Sequence, residues 1–281
     1  MLLFADDTCL LLSNTDLHIL ERNCNRELVH INNWFLANKL TANLSKASKY
    51  MLTVGKRTTK HPNDFRLTMG NTVLEKVSQV KYLGVIFDDR FTWHDHITYL
   101  CKKLSCSVGI LSKLRYFVNV QTLLKVYYAL VHSHLSYSLI VWGAAGVTAL
   151  KPLTVLQNRA IRFISRAGRY RRLDLDYVNL RVLKLCDMYH HSIGNFMHLY
   201  HNDKLPQHFS NFFLTRSVQH EYNLRRLNTS QYLPIVCNKA SMRKSIRYAG
   251  PNIWASCPQE VQSVSINKFK KTYKTFLLSE M

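Results

Sequence analysis

Two adjacent carboxylates inside an apolar run set the strongest constraint on this chain. Its first twelve residues read MLLFADDTCLLL, and Asp6 and Asp7 are the only charged groups among them. An apolar run on each side of a short polar pair predicts a hairpin, with Leu2–Phe4 and Thr8–Leu12 as strands and Ala5-Asp6-Asp7 as the turn. Two carboxylates at such a tip repel each other and lose part of their hydration, so both stay ionised cheaply only with a cation between them. An all-oxygen donor set fits Mg²⁺ or Mn²⁺. A plain turn, where Asp is common, is the other reading of the pair.

Composition narrows the partner. The chain has 281 residues, 47% hydrophobic and 20% charged, enough to bury a core of one large or two small domains and too apolar for a disordered tail. Its 38 Lys+Arg against 17 Asp+Glu leave a formal net charge of +21, which favours a polyanion such as RNA or DNA, with an anionic membrane surface as the competitor. Seven Cys, with no C-x-x-C pair, point to a reducing compartment and away from a zinc knuckle built by this chain alone. The opening apolar run has no basic flank and carries two acids, unlike a secretory signal. The longest apolar stretch, Tyr127–Leu150, includes His132 and His134 and reads as buried globular sequence. An intracellular protein, in cytoplasm and/or nucleus and not secreted, is the expectation.

Periodicity orders the rest. Leu17, Leu20, Cys24, Leu28 and Ile31 predict an amphipathic helix over Asp16–Asn33, capped by Asn14 or Thr15. Lys49–Val54 has strand character, and Gly55–His61 reads as a loop. Phe65–Met69, Thr72–Leu74 and Val80–Phe87 are short β-like runs, the first two joined by a Gly70-Asn71 turn. A second acidic pair, Asp88-Asp89, reads as a turn leading to a Thr92 helix cap, and His94 and His96 as surface or capping histidines. Ile97, Leu100, Cys101, Leu104, Val108 and Leu111 predict one helical stripe, and a further helix begins near Asn119. In Leu156–Arg172 (LQNRAIRFISRAGRYRR), Arg159, Arg162, Arg166 and Arg169 are spaced to share one helical face, extended by Arg171 and Arg172. Arginine forks hold phosphate oxygens, so this face suits RNA or DNA; a membrane surface or an acidic protein fits the same pattern. Beyond Asp174, helices are expected at Val178–Met188 and Ser192–Tyr200. A loop-rich stretch punctuated by Pro234, Pro251 and Pro258 follows, then a last helix around Phe269, Tyr273 and Phe276-Leu277. His190, His191, His198 and His201 lack the acidic or Cys partners of a metal set.

Four stretches together carry a resemblance: FADD (Phe4–Asp7), WFLANKLTANLSKASKYML (Trp34–Leu52), VKYLGVIFDDRFTWHDHI (Val80–Ile97) and YALVHSHLSYSLIVWG (Tyr128–Gly143). In that order and spacing the chain resembles the reverse transcriptases of non-LTR (LINE-like, jockey-like) retrotransposons, most strongly over residues 1 to 170. The resemblance implies an α+β fold. Residues 1–92 are an incomplete palm with the acidic hairpin, a helix and small antiparallel strands. Residues 93–172 are a helical, basic thumb, and 173–281 a helical and loop-rich C-terminal region. It implies that Asp6 and Asp7 are catalytic carboxylates binding Mg²⁺ or Mn²⁺, and that Lys46 approaches the phosphates of the incoming dNTP, although Ala47 stands where the family usually has Thr. It implies further that Tyr82-Leu83-Gly84 holds the primer end.

The implied partners are an RNA template and an RNA–DNA or DNA duplex, with dNTP only in the intact enzyme. Two-metal phosphoryl transfer also needs a carboxylate from an earlier strand to hold ions about 3.5–4 Å apart. With that acid and the fingers absent before Met1, the expectation is a truncated reverse transcriptase, a nucleotidyltransferase fragment inactive alone. Leu and Phe would lie exposed on the unpartnered hairpin edge. An RNA/DNA-binding remnant without sequence preference, and a basic protein-interaction or non-functional fragment, are the alternatives.

Overall fold

Local capping and apolar spacing account for most of the elements in the computed structural model, which describes residues 2–4, 7–40, 49–53, 65–168, 170–215, 232–237, 243 and 245–281. Asp6, Lys46 and Arg169 lie outside the described residues. The chain divides into two compact units, 1–96 and 97–281.

In the first unit, β1 (Leu2–Phe4) and β2 (Asp7–Cys9) form the expected antiparallel hairpin, with Phe4 opposite Asp7. Two details differ from expectation: Asp7 belongs to the strand rather than to the turn, and the strand stops at Cys9. Beyond it, Leu10 and Leu12 turn instead to the core formed by Leu20, Leu28, Leu52, Phe65, Leu67 and Met69. Leu2 and Phe4 are more than half exposed.

Helix α1 (Leu17–Ala37) is longer than its apolar stripe suggests and runs through Trp34. Asp16, not Asn14 or Thr15, caps it: the Asp16 carboxylate accepts from His18 N and Ile19 N, at 2.8 and 3.1 Å. Those two backbone donors, Ile19 foremost, hold the Asp16 carboxyl below its ordinary range. Asn14 takes the next place outward, accepting from Asp16 N. Polar residues of α1 also satisfy a neighbouring backbone. Asn25 donates to Arg66 O and accepts from Thr68 N, and Glu21 accepts from Arg66 N. This seats β4 (Thr68–Met69) beside the helix.

The remaining strands of this unit are short. β3 (Lys49–Tyr50) pairs in parallel with β6 (Glu75–Lys76), a departure from the all-antiparallel expectation. β4 pairs with β5 (Thr72–Val73) across the expected Gly70-Asn71 turn, where Gly70 has φ +58°. β7 (Gln79–Tyr82) and β8 (Val85–Asp88) form the longest ladder of this unit. Among the described residues every sheet is two-stranded. Mixed helix and strand, compatible with α+β, is the class observed.

The second unit is mainly helical. The division falls in the first turn of α2 (His94–Leu114), whose Ile97, Leu100, Leu104, Val108 and Leu111 are buried as the stripe predicts. Asn119 caps α3 (Val120–Tyr127) by accepting from Thr122 N. A π-helical turn (Tyr128–His132) carries the chain on into α4 (Ser133–Ser136), so that Leu123, Tyr127, Val131 and Leu135 all reach the core. Next come α5 (Leu139–Trp142), α6 (Val147–Ile164), α7 (Asp174–Asn179) and α8 (Leu185–His201). β9 (Leu214–Thr215) and β10 (Tyr232–Leu233) pair, and α9 (Ile246–Ser256), α10 (Gln259–Gln262) and α11 (Ile266–Ser279) complete the unit. No helix among the described residues is long and apolar enough to cross a membrane.

Helix α8 is the centre of this unit and packs against α5, α6, α9 and α11. The expected helix at Ser192–Tyr200 lies within α8, but the one expected at Val178–Met188 is broken between Asn179 and Leu185, because the segment between α7 and α8 is pinned from the core. Gln157 donates to Leu183 O and accepts from Leu185 N, both at 2.9 Å, and Arg181 at φ +53° makes the reversal. Pro251 lies inside a Ser245-capped helix, not in a loop, with Gly250 and Pro251 both buried. At the α8–α11 crossing, Gly194 admits the Tyr273 ring. A Cβ there would lie 2.2 Å from Tyr273 Cε1. Gly194→Ala should therefore cost about 1–3 kcal/mol of overpacking, partly offset by about 1 kcal/mol of helix propensity. Urea unfolding checks this, and a variant at least as stable as the parent would refute the close crossing.

Candidate nucleic-acid interface

The acidic hairpin contributes one described carboxylate. Asp7 is exposed in β2, where its side chain has the hard-oxygen chemistry that Mg²⁺ accepts. One such donor does not hold a divalent ion, and among the described residues no group of three or more His, Cys, Asp and Glu is placed to do so. The described residues thus do not complete a metal site.

The β7–β8 hairpin, which contains the Tyr82-Leu83-Gly84 stretch, is held under strain. Leu83 and Gly84 have φ +46° and +80°, the two positive values of a type I′ turn. Leu is a poor choice there, costing about 1–2 kcal/mol relative to an unstrained residue. Phe91 and Trp93 are also left-handed, at φ +51° and +66°. Asp88 stabilises that turn: its carboxylate accepts from Arg90 N and Thr92 N through Oδ1 and from Trp93 N through Oδ2, at 3.1, 2.9 and 2.8 Å. Burial pushes the Asp88 carboxyl up, but the donors from Thr92, Trp93 and Arg90 together outweigh it and hold the group below its ordinary range. Phe87, Phe91 and Trp93 pack edge-on or tilted beside it, with ring centroids 5.5–6.4 Å apart. His96 is not the surface histidine expected. It is 1% exposed, and its Nδ1 accepts from Ile86 N at 3.3 Å. Leu83→Asn, a residue at ease in the left-handed region, should raise hairpin stability by about 1 kcal/mol. Thermal melting tests this, and a lowered midpoint would show that the Leu83 side chain contributes more than its backbone costs.

The arginine cluster is arranged differently from a single helical face. Helix α6 ends at Ile164, and Arg166, at φ +54°, reverses the chain so that Ala167 N donates to Arg162 O. Arg159 and Arg162 are therefore helical, while Arg166, Arg171 and Arg172 belong to the following loop. Several of these guanidinium groups hold the loop itself. Arg162 donates to Gly168 O and Arg171 O, each at 3.1 Å, and Arg166 donates to Arg115 O at 3.4 Å. Arg171 forms an ion pair with buried Asp176. Arg159 and Arg172 are exposed.

Beside this loop is a cleft of about 390 Å³ lined by Asn158, Arg162, Arg171, Arg172, Tyr177 and Lys184 among others. Tyr177 donates to Asn158 Oδ1 at 2.7 Å, and Lys184 to Asp174 Oδ1 at 2.6 Å, which holds the Asp174 carboxyl below its ordinary range. The positive groups outnumber that carboxylate, so the cleft suits an anionic oxygen ligand. Asn158, Tyr177 and Lys184 escaped sequence reasoning because α7 and the loop after it bring them together; no local period marks them. The whole segment between Asp95 and Asp174 contains no Asp or Glu, a signal that was available.

Three of the four histidines of α8 are structural. His191 bonds to Lys270 O and His198 to Val264 O, both at 2.9 Å, and His201 bonds to the Tyr232 hydroxyl at 3.0 Å. His198 also stacks on Phe269 with centroids 3.9 Å apart.

No family model matches the chain, and no solved structure matches it significantly. Curated relatives do. Over 124 residues, 43% of the chain, it is 32% identical to the RNA-directed DNA polymerase from mobile element jockey of Drosophila funebris, matching 14% of that protein. Over 232 residues, 81% of the chain, it is 24% identical to the probable RNA-directed DNA polymerase from transposon X-element of Drosophila melanogaster, matching 24% of it. A third, from transposon BS of the same species, is 26% identical over 175 residues, 60% of the chain and 19% of the relative. The chain thus spans a quarter or less of the curated relatives it matches. Its sequence resemblance is to the RNA-directed DNA polymerases of non-LTR retrotransposons of the jockey, X-element and BS type.

Proposed function

We propose that this chain is the template–primer-holding part of a retrotransposon reverse transcriptase, with residues 1–92 as partial palm, 93–172 as thumb and 173–281 as C-terminal region. The similarity to RNA-directed DNA polymerases, found over 81% of the chain in the X-element protein, is the observation that carries the reading. The strained turns at Leu83, Phe91 and Trp93 support a primer-gripping role for Tyr82-Leu83-Gly84, since costly backbone conformations concentrate at functional sites. The cleft beside α6 supports phosphate contact without base reading. In the intact intracellular enzyme, Asp6 and Asp7 would hold Mg²⁺ or Mn²⁺, which stabilises charge on the transferring phosphate, and Lys46 would meet the dNTP phosphates.

The test is an anisotropy titration with an RNA–DNA hybrid. Arg159→Gln with Arg172→Gln removes two of the exposed arginines and leaves Arg162, Arg166 and Arg171, which hold the loop. Two lost phosphate contacts should make the salt dependence of log affinity shallower by roughly two and weaken binding similarly across unrelated sequences. An unchanged salt slope would remove these arginines from the interface. No binding to any nucleic acid at low salt would favour an acidic protein partner.

A further inference from the structure

The tip between α2 and α3 carries two large aromatic side chains outside the packed core. Tyr116 is 71% and Phe117 83% exposed, in a unit whose other described aromatic residues are mostly buried or half-buried. They are held out by a fixed backbone. Arg115 N donates to Leu111 O, and Phe117 N and Val118 N both donate to Leu114 O, at 2.9–3.2 Å, before Asn119 caps the next helix. The Arg115 guanidinium is 4.6 Å from the Tyr116 ring centre and 5.0 Å from that of Phe163, and it also donates to the Tyr116 hydroxyl. Arg166 ties the basic loop after α6 to this tip through Arg115 O. Tyr170, 91% exposed, belongs to that same loop.

We propose that the Tyr116-Phe117 tip is a stacking platform for an unpaired nucleotide base, the strand beyond the duplex being drawn to it by Arg115 and Arg166. The proposal rests on the nucleic-acid reading above and goes beyond it, from backbone contact along a duplex to recognition of a single-stranded extension. Ring faces beside guanidinium groups match what a single strand offers, a π-face on each base and a phosphate between bases. An acidic peptide would use the charge but gain little from the bare rings. The segment's lack of any Asp or Glu between Asp95 and Asp174 leaves no like-charged group in it to repel that strand.

The experiment compares a blunt RNA–DNA hybrid with the same hybrid bearing a short unpaired extension that contains 2-aminopurine. The extended hybrid should bind the full chain roughly five- to tenfold more tightly, with the probe's fluorescence quenched on stacking. Tyr116→Ala with Phe117→Ala, both at exposed positions, should abolish that preference and the quench while leaving blunt-hybrid affinity unchanged, and Phe117→Trp should retain both. Equal affinity for the two hybrids, or a double variant that keeps the preference, overturns the platform and leaves the duplex reading standing. Failure to bind either hybrid overturns both.

Discussion

Gln157→Leu should lower the stability of the 97–281 unit by roughly 3–5 kcal/mol, although the two side chains have similar size. Gln157 is fully buried and joins three elements. Its Nε2 donates to Leu183 O at 2.9 Å and to the Tyr127 hydroxyl at 3.1 Å, while its Oε1 accepts from Leu185 N at 2.9 Å. Leu183 and Leu185 are themselves buried, so their backbone groups have no water to turn to when the amide is removed. Each orphaned group costs about 1–3 kcal/mol, and two backbone groups are lost together. With typical domains stable by only about 5–15 kcal/mol, a loss of this size should lower the thermal midpoint by roughly 10 °C. Urea unfolding gives the magnitude, and faster hydrogen exchange at the Leu185 amide would locate it. A Leu variant within about 1 kcal/mol of the parent would mean that the segment between α7 and α8 is not held from Gln157.

Acid should destabilise the 1–96 unit well above the pH at which exposed carboxylates titrate. Burial pushes the His96 imidazole down from 6.5 to about 4. The unfolded chain therefore takes up this proton first as pH falls. The contribution of neutral His96 is fully present above about pH 6.5 and is lost as pH drops through about 4, amounting to about 3 kcal/mol at 1.36 kcal/mol per unit. Asp88, whose folded-state value is also depressed, adds a further loss below that range, as pH falls under its ordinary 3.8. An NMR titration of the His96 ring, read beside denaturant unfolding at pH 7 and pH 5, checks both parts. A ring that titrates near 6.5 would contradict its burial. His96→Gln, which can still accept from Ile86 N, should flatten the stability profile between pH 6.5 and 4.

What the sequence determined by itself was whatever neighbours within a turn or two decide. The Ile97–Leu111 stripe, the helix start near Asn119, the Gly70-Asn71 turn and the Phe269–Leu277 face were legible because periodicity and turn chemistry act over three or four residues. The resemblance to reverse transcriptases was legible for a similar reason, being carried by short stretches in a fixed order. Tertiary structure decided which polar groups are spent inside the fold. Spacing alone put four arginines on one face, but Arg166 at φ +54° ends the helix, and Arg162 and Arg171 are turned to carbonyls and to buried Asp176. The same holds for His96, drawn under the β7–β8 hairpin by Ile86 N, and for Gln157, a polar residue of the arginine-bearing helix that is buried without exposure. Partners such as Leu183 and Leu185 lie more than 25 residues away in sequence, beyond the reach of any local period, so only the packed chain shows which donors and acceptors must be met and which arginines remain for a ligand.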